Sequence, residues 1–214
     1  MSGIVIELQK EALNENVSIE SLLRKSYVIS RKLKLKDFGE WVQCELEGYE
    51  KHEVPEYRRI QGQLKALNPV RGWIPVVMDS ALAEIAFTKT KLSNSIPELY
   101  HLYQDKENTM LVINLPAQTN KYVSKCCGYE TQYRLEFGKN QIYSILSQVR
   151  NNILDWALML EENGIVGKDY SFSDEEQEIA HKKCEVTNYI TNFWGNASEV
   201  QLQQGSIDSK QSSM

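Results

Sequence analysis

Arginine and aromatic side chains gather around the first stretch of the chain in which apolar and polar residues alternate, as they do in a half-buried strand. Arg58 and Arg59 open this stretch, Arg71 lies in the turn that follows it, and Tyr57 and Trp73 stand beside these cations. An arginine fork can pair with a phosphate while an aromatic ring stacks on a base, so this set could hold a nucleotide. Ion pairs with acidic helices explain the same arginines more simply. Arg58, Arg59, Arg71 and Trp73 therefore form a candidate ligand site beside a purely structural alternative.

No other group of residues has the spacing of a catalytic motif. The sequence contains no phosphate-binding P-loop, no glycine fingerprint for a dinucleotide, no zinc-protease helix and no nucleophile elbow. The histidines, His52, His101 and His181, are far apart, and none has a second histidine or a cysteine four residues away. Cys126 and Cys127 are adjacent and have no visible base, so we interpret them as ordinary residues of a strand or turn. We predict no catalytic residue, no metal and no cofactor.

Composition limits the classes of partner. Hydrophobic residues make up 42% of the 214 residues, which is enough to build a substantial core. The chain has 24 basic and 29 acidic residues, and this net charge of −5 disfavours non-specific binding to nucleic-acid phosphates. No apolar run approaches the roughly 18 residues of a membrane span, and no signal-peptide pattern opens the sequence. The four cysteines show no disulfide framework. We expect a reduced, cytoplasmic protein.

Helical periodicity predicts three helices at the start of the chain. The first covers about residues 4–14, and the second runs to Leu33 behind a cap at Ser18. The third covers about residues 37–47, and Gly48 is placed to end it. Glu45 falls on the apolar face of this third helix, so the pattern predicts a buried carboxylate that needs a cationic partner.

The partner of Glu45 has to be chosen among nearby cations. A buried carboxylate is tolerated only where a positive charge and hydrogen bonds compensate for lost hydration. Arg24 and Arg31 lie on the preceding helix, and we predict that one of them pairs with Glu45.

The middle of the chain changes from a helical period to a period of two. Residues 59–67 alternate as one half-buried strand, and residues 129–137 alternate throughout. Residues 110–115 form a short apolar run that predicts a buried strand. Pro75 confines a further strand, at about residues 73–78, to a sheet edge or to a site where the missing N–H of proline is harmless. Together with short helices near residues 81–87 and 97–104, these segments predict a small, mostly antiparallel sheet between helical ends.

The last third of the folded region is helical. Residues 140–163 carry one broad apolar face and a second stripe, so we expect a long helix buried from two sides that Gly164 ends. Ser173 and Glu176 have the spacing of a capping box for a further helix. The pattern as a whole predicts the α+β class, with a domain over residues 1–185. Residues 186–214 are predicted to form one strand and a flexible polar tail rich in Ser and Gln, or a tail segment that becomes ordered only against another chain.

The order of several motifs resembles that of the AbiTii domain family of bacterial abortive-infection proteins. The N-terminal match is "IVIELQKEALNENVSIESLLRKSYVISRKLKLKDFGEWVQCELEGY", followed by "VPEYR" and "RGWIPV", and the C-terminal match is "VRNNILDWALMLEENGIVGKDYSFSDEE". The resemblance covers roughly residues 3 to 182 and implies a role in defence against phage. It carries over no catalytic residue, and it leaves toxin, sensor and adaptor roles open.

Two functional hypotheses follow. The first is a non-enzymatic interaction module, a sensor or adaptor that binds a protein partner or a second copy of itself. It is favoured by a well-patterned scaffold without a reaction centre. The alternative is a nucleotide-binding or toxic effector enzyme that uses the candidate ligand site at Arg58, Arg59, Arg71 and Trp73.

Overall fold

A computed structural model describes residues 3–78 and 81–184, with only the backbone described at residues 81–82 and 183–184. Within these residues the fold is α+β, as the sequence predicts. The helices are α1 (Ile4–Ala12), α2 (Ile19–Lys32), α3 (Lys36–Glu47), α4 (Ala81–Thr88), α5 (Ile96–Gln104), α6 (Ala117–Cys127), α7 (Asn140–Glu162) and α8 (Asp174–Cys184), with a 3-10 turn at Glu56–Arg58. The strands are β1 (Arg59–Gln61), β2 (Gln63–Asn68), β3 (Gly72–Pro75), β4 (Lys89–Lys91), β5 (Met110–Asn114) and β6 (Tyr133–Gly138).

The three N-terminal helices confirm the predicted pattern of starts and stops. Ser18 caps α2, because its hydroxyl accepts a hydrogen bond from the backbone N–H of Ser21 at 3.1 Å. Helix α3 ends at Gly48, whose φ of +97° lies in the region that favours glycine.

The residues predicted as one strand, 59–67, form two strands that belong to different sheets. Strand β1 pairs with β4, whereas β2 lies in a four-stranded antiparallel sheet of order β3-β2-β6-β5. The break falls at Gly62, where a Cβ atom would lie 2.6 Å from the Leu135 side chain and 2.7 Å from the Glu136 carbonyl oxygen. The prediction of a single strand is therefore wrong, because the close approach of β6 at Gly62 redirects the chain.

The run at residues 110–115 is a strand, but the prediction that it is buried is wrong. Strand β5 lies at an edge of the four-stranded sheet, and Met110, Val112 and Asn114 are exposed. Strand β6, in the centre, starts at Tyr133, four residues later than its alternation indicated. Pro75 ends the other edge strand, β3, which confirms the edge predicted from it.

The long helix α7 organises the core. It packs against α1, α2, α5 and β6, and its predicted apolar face is buried. Phe38 of α3 stacks on Trp156 of α7, with ring centroids 3.7 Å apart. The second stripe is only partly covered, since Leu154 is half-buried and Leu158 is exposed. Gly164 follows the helix with a φ of +77°, as expected for a helix stop.

The capping box before α8 is confirmed by two hydrogen bonds. The N–H of Glu176 donates to the Ser173 hydroxyl at 3.1 Å, and the N–H of Ser173 donates to the Glu176 carboxylate at 2.8 Å. The Glu176 carboxylate also accepts hydrogen bonds from the backbone N–H groups of Val166 and Gly167, so it holds the loop after α7 in place.

Helix α6 was not predicted. Cys126 and Cys127 form its last turn, so their interpretation as strand or turn residues is wrong. The predicted strand and polar tail at residues 186–214 lie outside the described residues.

Candidate interaction surface

Arg58, the first residue of the candidate ligand site, is fully buried and pairs with Glu45. Its guanidinium also donates to the carbonyl oxygens of Leu92, at 3.1 Å, and Asn94, at 2.7 Å. Glu45 is the buried carboxylate that the apolar face of α3 predicted, but its partner is neither Arg24 nor Arg31. Arg24 pairs instead with Glu20 on the surface of α2. The predicted partner of Glu45 is therefore wrong. Arg58 takes this place, and its hydrogen bonds join α3 to the chain before α5.

Two tyrosines complete the surroundings of Glu45. The hydroxyls of Tyr49 and Tyr57 both donate to this carboxylate, and the Trp41 indole N–H donates to the Tyr57 oxygen at 3.0 Å. Burial, and next the Glu45 charge, raise the pKa of both tyrosines, so they stay neutral donors. Burial opposes the Arg58 charge, but Glu45 outweighs it and the pKa of Arg58 is raised. The Glu45–Arg58 network is thus internally satisfied.

The other candidate ligand residues, Arg59, Arg71 and Trp73, are not part of this network, and they are divided between the two sheets. Arg59 is on β1 and forms an exposed ion pair with Glu56 at 2.7 Å. Arg71 is exposed in the turn between β2 and β3, and Trp73 is half-buried on β3. Arg71 and Trp73 therefore lie at one end of the four-stranded sheet, whereas Arg58 and Arg59 belong to the 3-10 turn and β1. A nucleotide-binding role for this set stays a prediction.

Trp73 has a different arginine for its neighbour. The guanidinium carbon of Arg134, on β6, lies 4.0 Å from the centroid of the Trp73 ring. Arg134 also pairs with Glu136, which in turn pairs with Lys65 of β2. Sequence reasoning missed this group, although the alternation of residues 129–137 places Arg134 and Glu136 on one face of the strand. Pairing them with Trp73 requires the sheet order.

The group formed by Trp73, Arg134, Glu136 and Lys65, termed here the sheet-face cluster, lies on the face opposite the core. Its neighbours on the other face of the same strands, such as Leu64 and Leu135, are buried in the core. Glu136 is only 6% exposed because the two cations cover it. Burial works to raise the pKa of Glu136, but hydrogen bonds and charge from Lys65 and Arg134 outweigh this and lower it.

Strand β5 continues this face to an unpaired edge. Met110 is 49% exposed and Val112 is 44% exposed, while Leu111 and Ile113 pack against the core. Val112 stands beside Glu136 in the register of β5 and β6. Within residues 3–78 and 81–184, β5 pairs only with β6, so its other side is open.

The backbone groups that point to the open side can be assigned from the ladder. Leu115 N–H donates to the Tyr133 carbonyl, and Lys139 N–H donates to the Thr109 carbonyl, both at 3.4 Å. These contacts identify the hydrogen-bonded pairs between β5 and β6, which recur at every second residue. Met110, Val112 and Asn114 lie at the intervening positions, which form the pairs without hydrogen bonds to β6. Their N–H and C=O groups therefore point away from β6, and the edge offers both backbone bonds and apolar side chains.

Two further kinds of feature are not found in the described part of the chain. No group of three or more His, Cys, Asp or Glu side chains among those residues converges in a way that could hold a metal ion. Nor is any described helix both long and apolar enough to cross a membrane.

These features define an α+β domain with a closed helical core and an antiparallel sheet that has an open edge. The chain belongs to the AbiTii family, whose model matches residues 3–185. Membership supports a role in bacterial abortive infection, a defence against phage. No curated protein and no solved structure matches the chain.

Proposed function

We propose that this chain is a non-enzymatic interaction module of an abortive-infection system, and that it self-associates through the open edge of β5. The observation that carries the proposal is the outward direction of the Met110, Val112 and Asn114 backbone groups on an exposed apolar strand. Strand addition at such an edge supplies affinity through main-chain hydrogen bonds and specificity through alternate side chains. Cytoplasmic residence and a role as sensor or adaptor are parts of this same proposal.

Among the residues that the structure describes, the edge lacks the features that usually prevent strands from pairing with other chains. Natural edge strands are commonly protected by lysine, proline, a bulge or a covering segment. The five residues of β5, "MLVIN", contain no charge and no proline, and each is matched one to one with β6. Pro116 follows only after the strand has ended. An edge of this kind is disfavoured in a chain that remains alone.

A second copy of the chain fits the edge because the sequence of β5 is self-complementary. Antiparallel pairing about a two-fold axis at Val112 sets Val112 opposite its own copy and Met110 opposite Asn114. Leu111 then faces Ile113, so every pair contains an apolar residue. The three outward-pointing residues all fall in hydrogen-bonded positions of this new pair. The two four-stranded sheets would become one continuous sheet, and neither β5 strand would keep a free edge.

A lysine at the centre of β5 tests the proposal. In the two-fold pairing, Val112→Lys would place two like charges directly opposite each other, which destabilises a strand pair. Val112 is exposed in the single chain, so the free energy of unfolding should change by no more than about 0.5 kcal/mol. We expect wild-type protein to sediment as a dimer and the variant as a monomer. Gln63→Lys is the matched control, because Gln63 is exposed on the same sheet face, beside Glu136, but away from the β5 edge.

Phage challenge of cells that express each variant connects association with defence. We expect Val112→Lys to lose protection and Gln63→Lys to keep it. A wild-type chain that remains a monomer, or a Val112→Lys variant that associates normally, would overturn the proposed edge. Full protection by a monomeric variant would separate self-association from the defence function.

A further inference from the structure

A cavity of about 480 Å³ lies between the end of α2 and the start of α3. Three cationic residues line it, Arg31, Lys34 and Lys36, together with the half-buried ring of Tyr27. This volume is within the usual range for small-molecule sites, roughly 300–1,000 Å³. One carboxylate, Glu40, also lines it, so the cavity carries an excess of positive charge in a chain whose net charge is −5.

These three cations have no carboxylate partner among residues 3–78 and 81–184. Arg31 makes only a long contact to its own neighbour on α2, with Nη1 3.4 Å from the Tyr27 hydroxyl and the guanidinium carbon 5.8 Å from the ring centroid. Other cations on the same helix are paired, since Arg24 contacts Glu20 and Lys25 contacts Glu11. The charges at the cavity therefore have no counter-ion among these residues and are available to an anionic ligand.

Lys34 occupies a backbone position that ordinarily favours glycine. Its φ is +59°, in the left-handed region, directly after the C-cap Leu33. Lys34 N–H donates to the Arg31 carbonyl at 3.3 Å, and Leu35 N–H donates to the Ser30 carbonyl at 2.9 Å. This pair of bonds is the Schellman ending of a helix, in which glycine is the usual residue at the left-handed position. The turn therefore carries a lysine ammonium to the cavity wall at some cost in backbone energy.

The start of α3 adds to the positive potential of the cavity. Leu35 at its N-cap position provides no side-chain cap, and the N-terminal end of a helix attracts anions. Gly39, in the next turn, lies against Ser30, where a Cβ atom would be 3.2 Å from the Ser30 hydroxyl oxygen. Helices α2 and α3 pack closely at Gly39, and this contact forms one wall of the cavity.

From the cavity and its unpaired cations we infer that this site binds a small phosphorylated molecule, of the class of nucleoside and sugar phosphates. The phosphate would lie against Arg31, Lys34 and Lys36, because arginine and lysine are the side chains that bind phosphate best. Glu40 and Gln43 line the same cavity and can accept hydrogen bonds from hydroxyl or amino groups on the rest of the ligand. This inference concerns α2 and α3 and does not depend on the pairing of β5.

Calorimetric titration of the full chain with ADP, inorganic pyrophosphate and adenosine tests the site. ADP and pyrophosphate should each bind saturably at one site per chain, and adenosine should bind at least about tenfold more weakly than ADP. The double variant Arg31→Ala/Lys34→Gly removes two cations and gives the helix ending its usual glycine. It should weaken ADP binding by at least about tenfold without lowering the unfolding temperature.

The matched control is Arg24→Ala/Lys32→Ala, which removes one arginine and one lysine from exposed positions on the same helix that do not line the cavity. It should keep the wild-type affinity for ADP. The inference is overturned if neither ADP nor pyrophosphate saturates the wild-type chain, or if adenosine binds as tightly as ADP. A control variant that loses as much affinity as the cavity variant also overturns it, because the binding would then be general charge attraction.

Discussion

Two groups in this chain each combine an arginine, a glutamate and an aromatic ring, but they have opposite surroundings. In the core, Arg58 pairs with Glu45 and lies over the Tyr49 ring, with 4.7 Å between the guanidinium carbon and the ring centroid. On the sheet, Arg134 pairs with Glu136 and lies over the Trp73 ring at 4.0 Å. The buried group connects helices and loops, whereas the sheet-face cluster lies beside the open edge of β5.

The number of satisfied donors distinguishes the two groups. Nε, Nη1 and Nη2 of Arg58 all donate to protein acceptors. Nε of Arg134 is buried without a hydrogen-bond partner among the described residues, and 23% of its side chain is exposed. Arg58 makes four hydrogen bonds to protein acceptors and its side chain is fully buried, so it serves the fold. Arg134 keeps one buried donor unpaired within the sheet-face cluster, so its hydrogen bonding is incomplete.

Removal of Arg58 should have the largest effect on stability. Arg58→Ala would leave Glu45 buried without its countercharge, and breaking a buried pair in this way costs about 3–5 kcal/mol. Urea unfolding measures the change in the free energy of unfolding. Arg59→Ala, which removes an exposed pair with Glu56, should change it by less than about 1 kcal/mol. Similar losses for the two variants would show that Arg58 does not hold the fold.

Removal of Arg134 should have a smaller effect on the fold. Arg134→Ala loses the contact with the Trp73 ring and one of the two cations at Glu136, while Lys65 stays in place. We expect a loss of about 1–2 kcal/mol in the free energy of unfolding. Arg134→Lys should recover part of this loss, since it restores charge without the planar fork. A loss as large as that of Arg58→Ala would remove the distinction between the two groups.

The smallest effect is a pH dependence carried by Glu136. Its pKa is lower in the folded chain than the ordinary value of 4.5, so the ionised form stabilises the fold. The stabilisation from ionised Glu136 is fully present above its ordinary pKa, and it is lost as the pH falls through the lower pKa of the folded chain. Relative to Glu136→Gln, the wild-type chain should therefore lose stability in the acidic range below about pH 4.5. Parallel stability curves for the two proteins between pH 7 and pH 3 would contradict the pairing.

Helix boundaries and the buried face of the longest helix could be predicted because their determinants are local. Ser18 and Ser173 lie directly before the N–H groups that they cap. The apolar residues of α7 recur at helical spacing, so the face that must be buried follows from the sequence. The carboxylate of Glu45 was predictable in the same way, because it shares the apolar arc of α3.

The partner of Glu45 and the break at Gly62 could not be predicted, since both depend on contacts between distant segments. Several arginines could reach Glu45, and only the path of the chain after α3 selects Arg58. The alternation of residues 59–67 continues through Gly62 without a signal, and the approach of β6 decides the break. The apolar run of β5 has the composition of a buried strand, and sheet order alone places it at an edge.

Cysteine crosslinking at Val112 tests the proposed pairing of β5 most directly. Residues opposite each other in a hydrogen-bonded antiparallel pair have Cα atoms about 5.5 Å apart, which suits a disulfide. Val112→Cys, made together with Cys126→Ser to remove a native exposed thiol, should form a disulfide-linked dimer under mild oxidation. Gln63→Cys in the same background should remain largely uncrosslinked. Equal or absent crosslinking in the two variants would contradict self-association through β5.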